Sequence, residues 1–191
     1  MNKKASNMTK IHPKPEDDAT LIKEKQAGFT SKYFWYARAK ELLILTVVFS
    51  AFSAYLQRDM IDGKAPQLSA TGILGETLNL IDTEQPTLVY FWGSWCGYCK
   101  VTSPMVHAVA QDYRVISLAV ESGSNAEIKQ YMLQHDIDFP TINDTQRIHK
   151  KWGVRAFPSI YIIDKAGDIK FVTTGLSSSW GLKLRMWLTE F

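Results

Sequence analysis

Residues 87–100 read Thr87-Leu88-Val89-Tyr90-Phe91-Trp92-Gly93-Ser94-Trp95-Cys96-Gly97-Tyr98-Cys99-Lys100. The first six are uncharged and β-branched, aliphatic or aromatic, the composition of a strand buried on both faces. Gly93-Ser94 break that run. Residues 97–112 then take helical spacing, with Val101, Met105, Val106 and Ala110 expected on one apolar face and a kink expected at Pro104. Both cysteines of the chain therefore fall where a buried strand hands over to a helix.

That junction has chemical consequences. The first turn of a helix leaves backbone N–H groups unpaired and carries the positive end of the helix dipole, and both favour a thiolate over a thiol. A free thiol has a pKa of about 8.5, and such settings typically lower it to about 3.5–7.5. Cys96 is expected at the exposed helix end. Cys99 is expected one turn deeper, within reach of a disulfide formed on Cys96. Two other readings of the pair are weighed. C-x-x-C is half of a zinc site, but His12, His107, His135 and His149 show no spacing that completes one. A purely structural disulfide across two residues closes almost no loop and stabilises little by chain entropy.

Outward from the junction, strands and helices alternate. Val115–Val120 reads as a second apolar strand, Asn125–His135 as an amphipathic helix and Thr145–Trp152 as a shorter one. Ser159–Ile163 and Ile169–Thr173 read as a hairpin around Asp164-Lys165-Ala166-Gly167-Asp168, and residues 179–190 as a closing helix. Upstream, residues 67–82 read as a short hairpin. The pattern predicts an α/β fold with a mixed sheet. Trp152, Trp180 and Trp187 are expected in the core, and His107 and His149 on helix faces.

The front of the chain differs in character. Residues 1–41 hold nine basic and five acidic side chains, whereas residues 59–191 are close to neutral. Residues 1–38 are read as a polar tail that ends in the cluster Tyr33-Phe34-Trp35-Tyr36. An uncharged run, LLILTVVFSAFSAYLQ, fills 42–57, so residues 39–58 are read as a transmembrane helix and residues 59–66 as a linker. Sixteen residues reach only about 24 Å, and the flanking Lys40, Arg58 and aromatic side chains supply the rest. A buried helix of a soluble core and a cleaved signal peptide are the competing readings. The basic residues lead the segment, so the positive-inside rule places the N-terminus in the cytoplasm and residues 67–191 outside it.

Composition sets bounds. The chain has 191 residues, 46% hydrophobic and 21% charged, with a formal charge of +3. These values exclude a disordered chain and give no footing for nucleic-acid binding. Two cysteines exclude a multi-disulfide scaffold.

The stretch Tyr90–Lys100, with Pro104 eight residues after Cys96 and Phe157-Pro158 ahead of the strand SIYII, resembles the thioredoxin superfamily from about residue 66 to 191. The resemblance implies a thioredoxin fold in which Pro158 is the cis-proline. The 62 residues from Cys96 to Pro158, together with a membrane segment and a leading hairpin, look like the TlpA/ResA group of tethered thioredoxins with a mid-domain insertion. Cys99-Lys100-Val101-Thr102-Ser103-Pro104-Met105 is closer still to the suppressor-of-copper-sensitivity D type of protein disulfide oxidoreductase.

This resemblance implies an inner-membrane, single-pass, periplasm-facing thiol–disulfide oxidoreductase. Cys96 and Cys99 are its catalytic residues and redox-active disulfide, and Trp95, Gly97, Tyr98, Phe157 and Pro158 support them. No metal or organic cofactor is implied. The expected partners are protein thiols or disulfides and a membrane thiol relay or an oxidase, with reduction favoured over oxidation. A binding or chaperone-like module with incidental cysteines is the alternative.

Two departures from the family pattern stand out. Tyr90 occupies the place of thioredoxin's buried aspartate, and Thr102 the place where many cytochrome-maturation relatives carry glutamate. No general base for Cys99 is therefore assigned. Glu121 is a candidate that reads more simply as a solvated loop carboxylate.

Overall fold

The computed structural model describes residues 32–190 of the chain. Residues 1–31, which make up most of the expected tail and include His12, lie outside the described residues. The chain divides after Ser50 into two compact units.

Helix α1 spans Lys32–Gln57. Its segment Arg38–Gln57 is 20 residues long and apolar enough to cross a membrane, about 30 Å at the helical rise. Leu42, Leu43, Ile44, Leu45, Val47, Val48, Phe49 and Phe52 are all more than half exposed. A helix packed in a soluble core buries one stripe of such residues.

The second unit is built on a five-stranded sheet in the order β5-β4-β3-β6-β7. Its strands are β3 (Thr87–Trp92), β4 (Arg114–Ala119), β5 (Thr141–Asn143), β6 (Ser159–Ile163) and β7 (Ile169–Thr174). β3 is central, parallel to β4 and antiparallel to β6. All six of its residues are buried, as its uncharged composition requires. Period-two alternation divides them between two cores. Leu88, Tyr90 and Trp92 pack with residues of α2 (Gly97–Ala110), α3 (Asn125–Gln134) and α5 (Ser179–Thr189). Val89 and Phe91 pack with Leu80, Trp152 and Tyr161. This is the thioredoxin fold, preceded by the antiparallel hairpin of β1 (Ser69–Thr71) and β2 (Thr77–Asn79). The Gly72–Ile142 bridge and the Ile73 N–H on the Thr141 carbonyl (2.8 Å) seat that hairpin beside β5.

Several expectations are corrected. β5 was not anticipated, because three residues are too few to show a period. The expected helix over 145–152 is only α4, Ile148–Lys151. α2 holds Pro104 inside its span, and its buried residues are Cys99, Thr102, Ser103, Val106 and Val109 rather than the expected apolar face. Val101 and Met105 are exposed instead. The helix turns its cysteine-bearing side to the sheet, and this tertiary demand overrides the apolar count. Trp152 is buried as expected, but Trp180 is 73% exposed and Trp187 about half exposed, because Leu182 and Met186 form the inward face of α5.

Within the expected linker, residues 59–66, several backbone groups are hydrogen-bonded to the domain. The Ile61 N–H reaches the Trp152 carbonyl at 3.3 Å, the Ala65 N–H the Gly167 carbonyl at 2.8 Å, and the Ile169 N–H the Gly63 carbonyl at 2.7 Å. Ala65 is buried. Gly153, at φ +67°, lies so close to Asp59 that an added Cβ would stand 1.6 Å from its carbonyl oxygen. Side chains are excluded there by both backbone conformation and space.

Candidate active site

The turn between β3 and α2 is laced to the end of β4. The Val120 N–H donates to the Trp92 carbonyl at 2.8 Å. The Ser94 N–H donates to Ser122 Oγ at 3.0 Å, and the Trp95 indole N–H to the Val120 carbonyl at 3.1 Å. A Cβ on Gly93 would stand 2.6 Å from the Trp95 ring, so glycine there gives the indole its seat.

Cys96 is the N-cap of α2, with extended backbone, and its Sγ accepts the Cys99 N–H at 3.2 Å. A sulfur thus fills a place usually taken by a serine or aspartate oxygen. That N–H also donates to the Cys96 carbonyl at 3.1 Å, so the sulfur shares a first-turn donor at a helix start favourable to negative charge. Cys96 is more enclosed than the sequence implied, at 6% exposure, and Cys99 is at 0%. The exposed neighbours are Trp95, Gly97, Tyr98 and Lys100.

The second wall comes from the far end of the chain. Cys96 Sγ donates to the Phe157 carbonyl at 3.6 Å, and the Phe157–Pro158 peptide bond is cis. Pro158 is buried, and its carbonyl accepts the Gly175 N–H at 2.9 Å. The Phe157 ring stands edge-on to Trp95 (centroids 5.5 Å, 82°) and tilts against His149 at 6.1 Å. The structure therefore gathers Trp95, Cys96, Cys99, Phe157 and Pro158 around one spot. Tyr98 projects outward beside it. Glu121 is an exposed loop residue at φ +48°.

Burial pushes the Cys99 thiol up to about 12, helped by the Cys96 side chain, while the Gly93 backbone and the Tyr90 hydroxyl pull it down. Burial, then the nearby Cys99 sulfur, also raises Tyr90 well above the ordinary tyrosine range. Tyr131 is raised by its own burial, then by Cys99 and Cys96.

Two groupings around the site were not foreseen. Tyr90 Oη and Ser103 Oγ are 3.0 Å apart and buried. The alternation that sends Leu88, Tyr90 and Trp92 to one face pointed to half of this pair. The other grouping is Asp144 with His149. The Asp144 carboxylate accepts from the Ile148 N–H (2.5 Å), the His149 N–H (3.1 Å) and His149 Nδ1. His149 is thus buried rather than set on an open helix face. It lines a cleft of about 550 Å³ with Phe157 and Arg155. No local spacing announces this pair. His107 is held by backbone instead, its Nδ1 accepting the Asp138 N–H at 3.0 Å. Among the described residues, no three His, Cys, Asp or Glu side chains gather to hold a metal.

Comparison with known proteins agrees with this geometry. Residues 61–172 match the AhpC/TSA family. The chain is 35% identical over 154 residues to a thioredoxin-like protein of Haemophilus influenzae, covering 78% of this chain and 92% of that one. It is 28% identical over 140 residues to the thiol-disulfide oxidoreductase ResA of Bacillus cereus, covering 67% of this chain and 80% of the relative. Its fold is similar to that of a thiol:disulfide interchange protein of the thioredoxin family from Chlorobium tepidum. That likeness has a TM-score of 0.60 at 19% identity and covers 69% of this chain and 98% of that one. A buried strand, a dithiol at a helix start and a cis-proline loop on the same fold leave one conclusion: the chain belongs to the AhpC/TSA family, among its thioredoxin-like thiol–disulfide oxidoreductases.

Proposed function

We propose that this enzyme exchanges disulfides with protein partners through Cys96 and Cys99, in the periplasm, tethered to the inner membrane by residues 39–58. The observation that carries the reading is the position of Cys96 Sγ. It caps α2 by accepting the Cys99 N–H and lies 3.6 Å from the carbonyl of the residue before Pro158. An extended segment of a partner can pair with backbone beside Pro158 and so bring its own sulfur to Cys96. Trp95 and Phe157 wall the spot, and Gly97 and Tyr98 set the surroundings of the pair.

In the reducing direction the Cys96 thiolate attacks one sulfur of the partner disulfide; the partner S–S bond breaks, its other sulfur leaves as a thiolate and takes up a proton, and a mixed disulfide remains on Cys96. Cys99 then attacks Cys96 Sγ, the Cys96–Cys99 bond closes, and the partner sulfur leaves with the electron pair and takes up a proton. Two electrons pass from the cysteine pair to the partner, and no metal or organic cofactor takes part. A membrane thiol relay restores the dithiol. The burial of Cys99 supports this order, because Cys96 keeps 6% exposure whereas Cys99 has none. The N-terminus lies in the cytoplasm under the positive-inside rule.

The test is the midpoint potential of the pair against glutathione, with insulin reduction by wild type and by the Cys96→Ser/Cys99→Ser double variant. A potential near −270 mV, with activity lost in a folded double variant, supports a reductase. A value near −120 mV assigns an oxidase, fed by an oxidising membrane partner. Full activity in the double variant overturns the reading.

A further inference from the structure

Cys99 must ionise to resolve a mixed disulfide, yet it is fully buried and its thiol is held far above neutrality. No carboxylate is among the groups that act on it. The titratable side chains that face it are Cys96 at the helix cap, Tyr90 from β3 and Tyr131 from α3. α5 brings only Leu182 and Met186 to the same cluster. Cys99 and Ser103 are four residues apart on α2, hence one above the other on the same helix face, and Ser103 is 2% exposed. Across from them stands Tyr90, fully buried, with its hydroxyl 3.0 Å from Ser103 Oγ.

Resting on the function proposed above, we infer that the Tyr90 hydroxyl, backed by Ser103, is the hydrogen-bond donor that receives the Cys99 thiolate during resolution of the mixed disulfide. Both hydroxyls can rotate, and either can be donor or acceptor. While Cys99 is a thiol, Tyr90 donates to Ser103 Oγ. When Cys99 ionises, Ser103 donates to Tyr90 Oη and Tyr90 turns its own O–H to the sulfur. Hydrogen bonds in such a chain strengthen one another, most of all when they end on a charge in a dry site.

Tyr90 keeps its proton throughout, because its own acidity is suppressed by burial and by the neighbouring sulfur. The proton that leaves Cys99 ends on the departing partner sulfur. The Cys99–Cys96 bond forms as the Cys96–partner bond breaks, so atoms and electrons balance. Ser103 is a positioning residue that acts through Tyr90.

The test uses full-length protein carrying Tyr90→Phe or Ser103→Ala. Cys96 is loaded as a mixed disulfide with thionitrobenzoate, and release of the coloured thiol is followed from about pH 6 to 10. A lost hydrogen bond to a charged group predicts release slower by roughly tenfold or more in Tyr90→Phe. Its pH profile moves to higher pH, while loading of Cys96 proceeds at the wild-type rate. Ser103→Ala moves the profile the same way by a smaller factor, and it decides the matter if Tyr90→Phe does not fold. Variant profiles that superimpose on wild type overturn the donor role and leave the dithiol reading standing. A wild type that releases no thiol overturns both.

Discussion

Cys96 Sγ lies 3.6 Å from the Phe157 carbonyl, across 61 residues of sequence. A sulfur at the start of one helix is thereby placed against the backbone that precedes Pro158, and the Phe157 ring joins that wall to Trp95 and His149. The two cysteines are unequal in this setting. Only Cys96 touches both the helix cap and the proline loop, while Cys99 lies beneath it.

That inequality predicts different single variants. Cys99→Ser should accumulate a mixed disulfide on Cys96, because the attacking group is gone. Cys96→Ser should accumulate none. Intact-mass measurement after incubation with a disulfide-bonded protein, without reductant, reads both outcomes. Equal capture by the two variants would contradict the assigned order.

The burial of Cys99 also makes a pH prediction. Its thiol is pushed up to about 12 in the folded protein, whereas an unfolded chain has the ordinary value of about 8.5. Below both values the thiol is protonated in both states and stability is unaffected. Between them the unfolded chain has lost a proton that the folded protein still holds, so stability falls as pH rises across that window. Urea unfolding of the reduced protein at about pH 8 and pH 10.5 should show this loss, and Cys99→Ala should show less of it. Tyr161, raised by burial alone, remains in the variant and cancels in the comparison, and the larger, burial-driven part of the Tyr90 shift cancels with it.

The Asp144 side chain is fully buried and accepts three hydrogen bonds from the start of α4. Removing it strands those donors away from water. Asp144→Ala should cost about 3 kcal/mol in a denaturant titration. It should also slow disulfide exchange, since His149 then loses its anchor beneath Phe157. Asp144→Asn, which keeps an acceptor oxygen, should lie between the two. A change below about 0.5 kcal/mol would show that the network contributes little.

The tryptophans separate in the same assay. Trp152 is 1% exposed and packs edge-on to Tyr161 at 4.9 Å and tilted against Phe91 at 5.6 Å. Trp152→Ala should cost about 3–5 kcal/mol. Trp180 is largely exposed, and Trp180→Ala should stay within about 0.5 kcal/mol of wild type. Similar losses at both positions would show that Trp180 is covered in solution.

Local signals determined much of this protein. The uncharged run Thr87–Trp92, the break at Gly93-Ser94 and the helical spacing beyond it set strand, turn and helix, because each depends on neighbours a few residues away. The same holds for the apolar run of α1, whose length and lack of charge are readable without any partner. Tertiary structure alone decided which side of α2 meets the sheet, and with it the burial of Thr102 and Ser103 and the exposure of Val101 and Met105. It alone folded residues 59–66 onto the domain, turned Trp180 outward and joined Asp144 to His149 beneath the Phe157–Pro158 loop. The physical reason is that a helix or strand presents several faces of similar polarity. Which face is buried depends on surfaces contributed by segments far along the chain, and no local period records them.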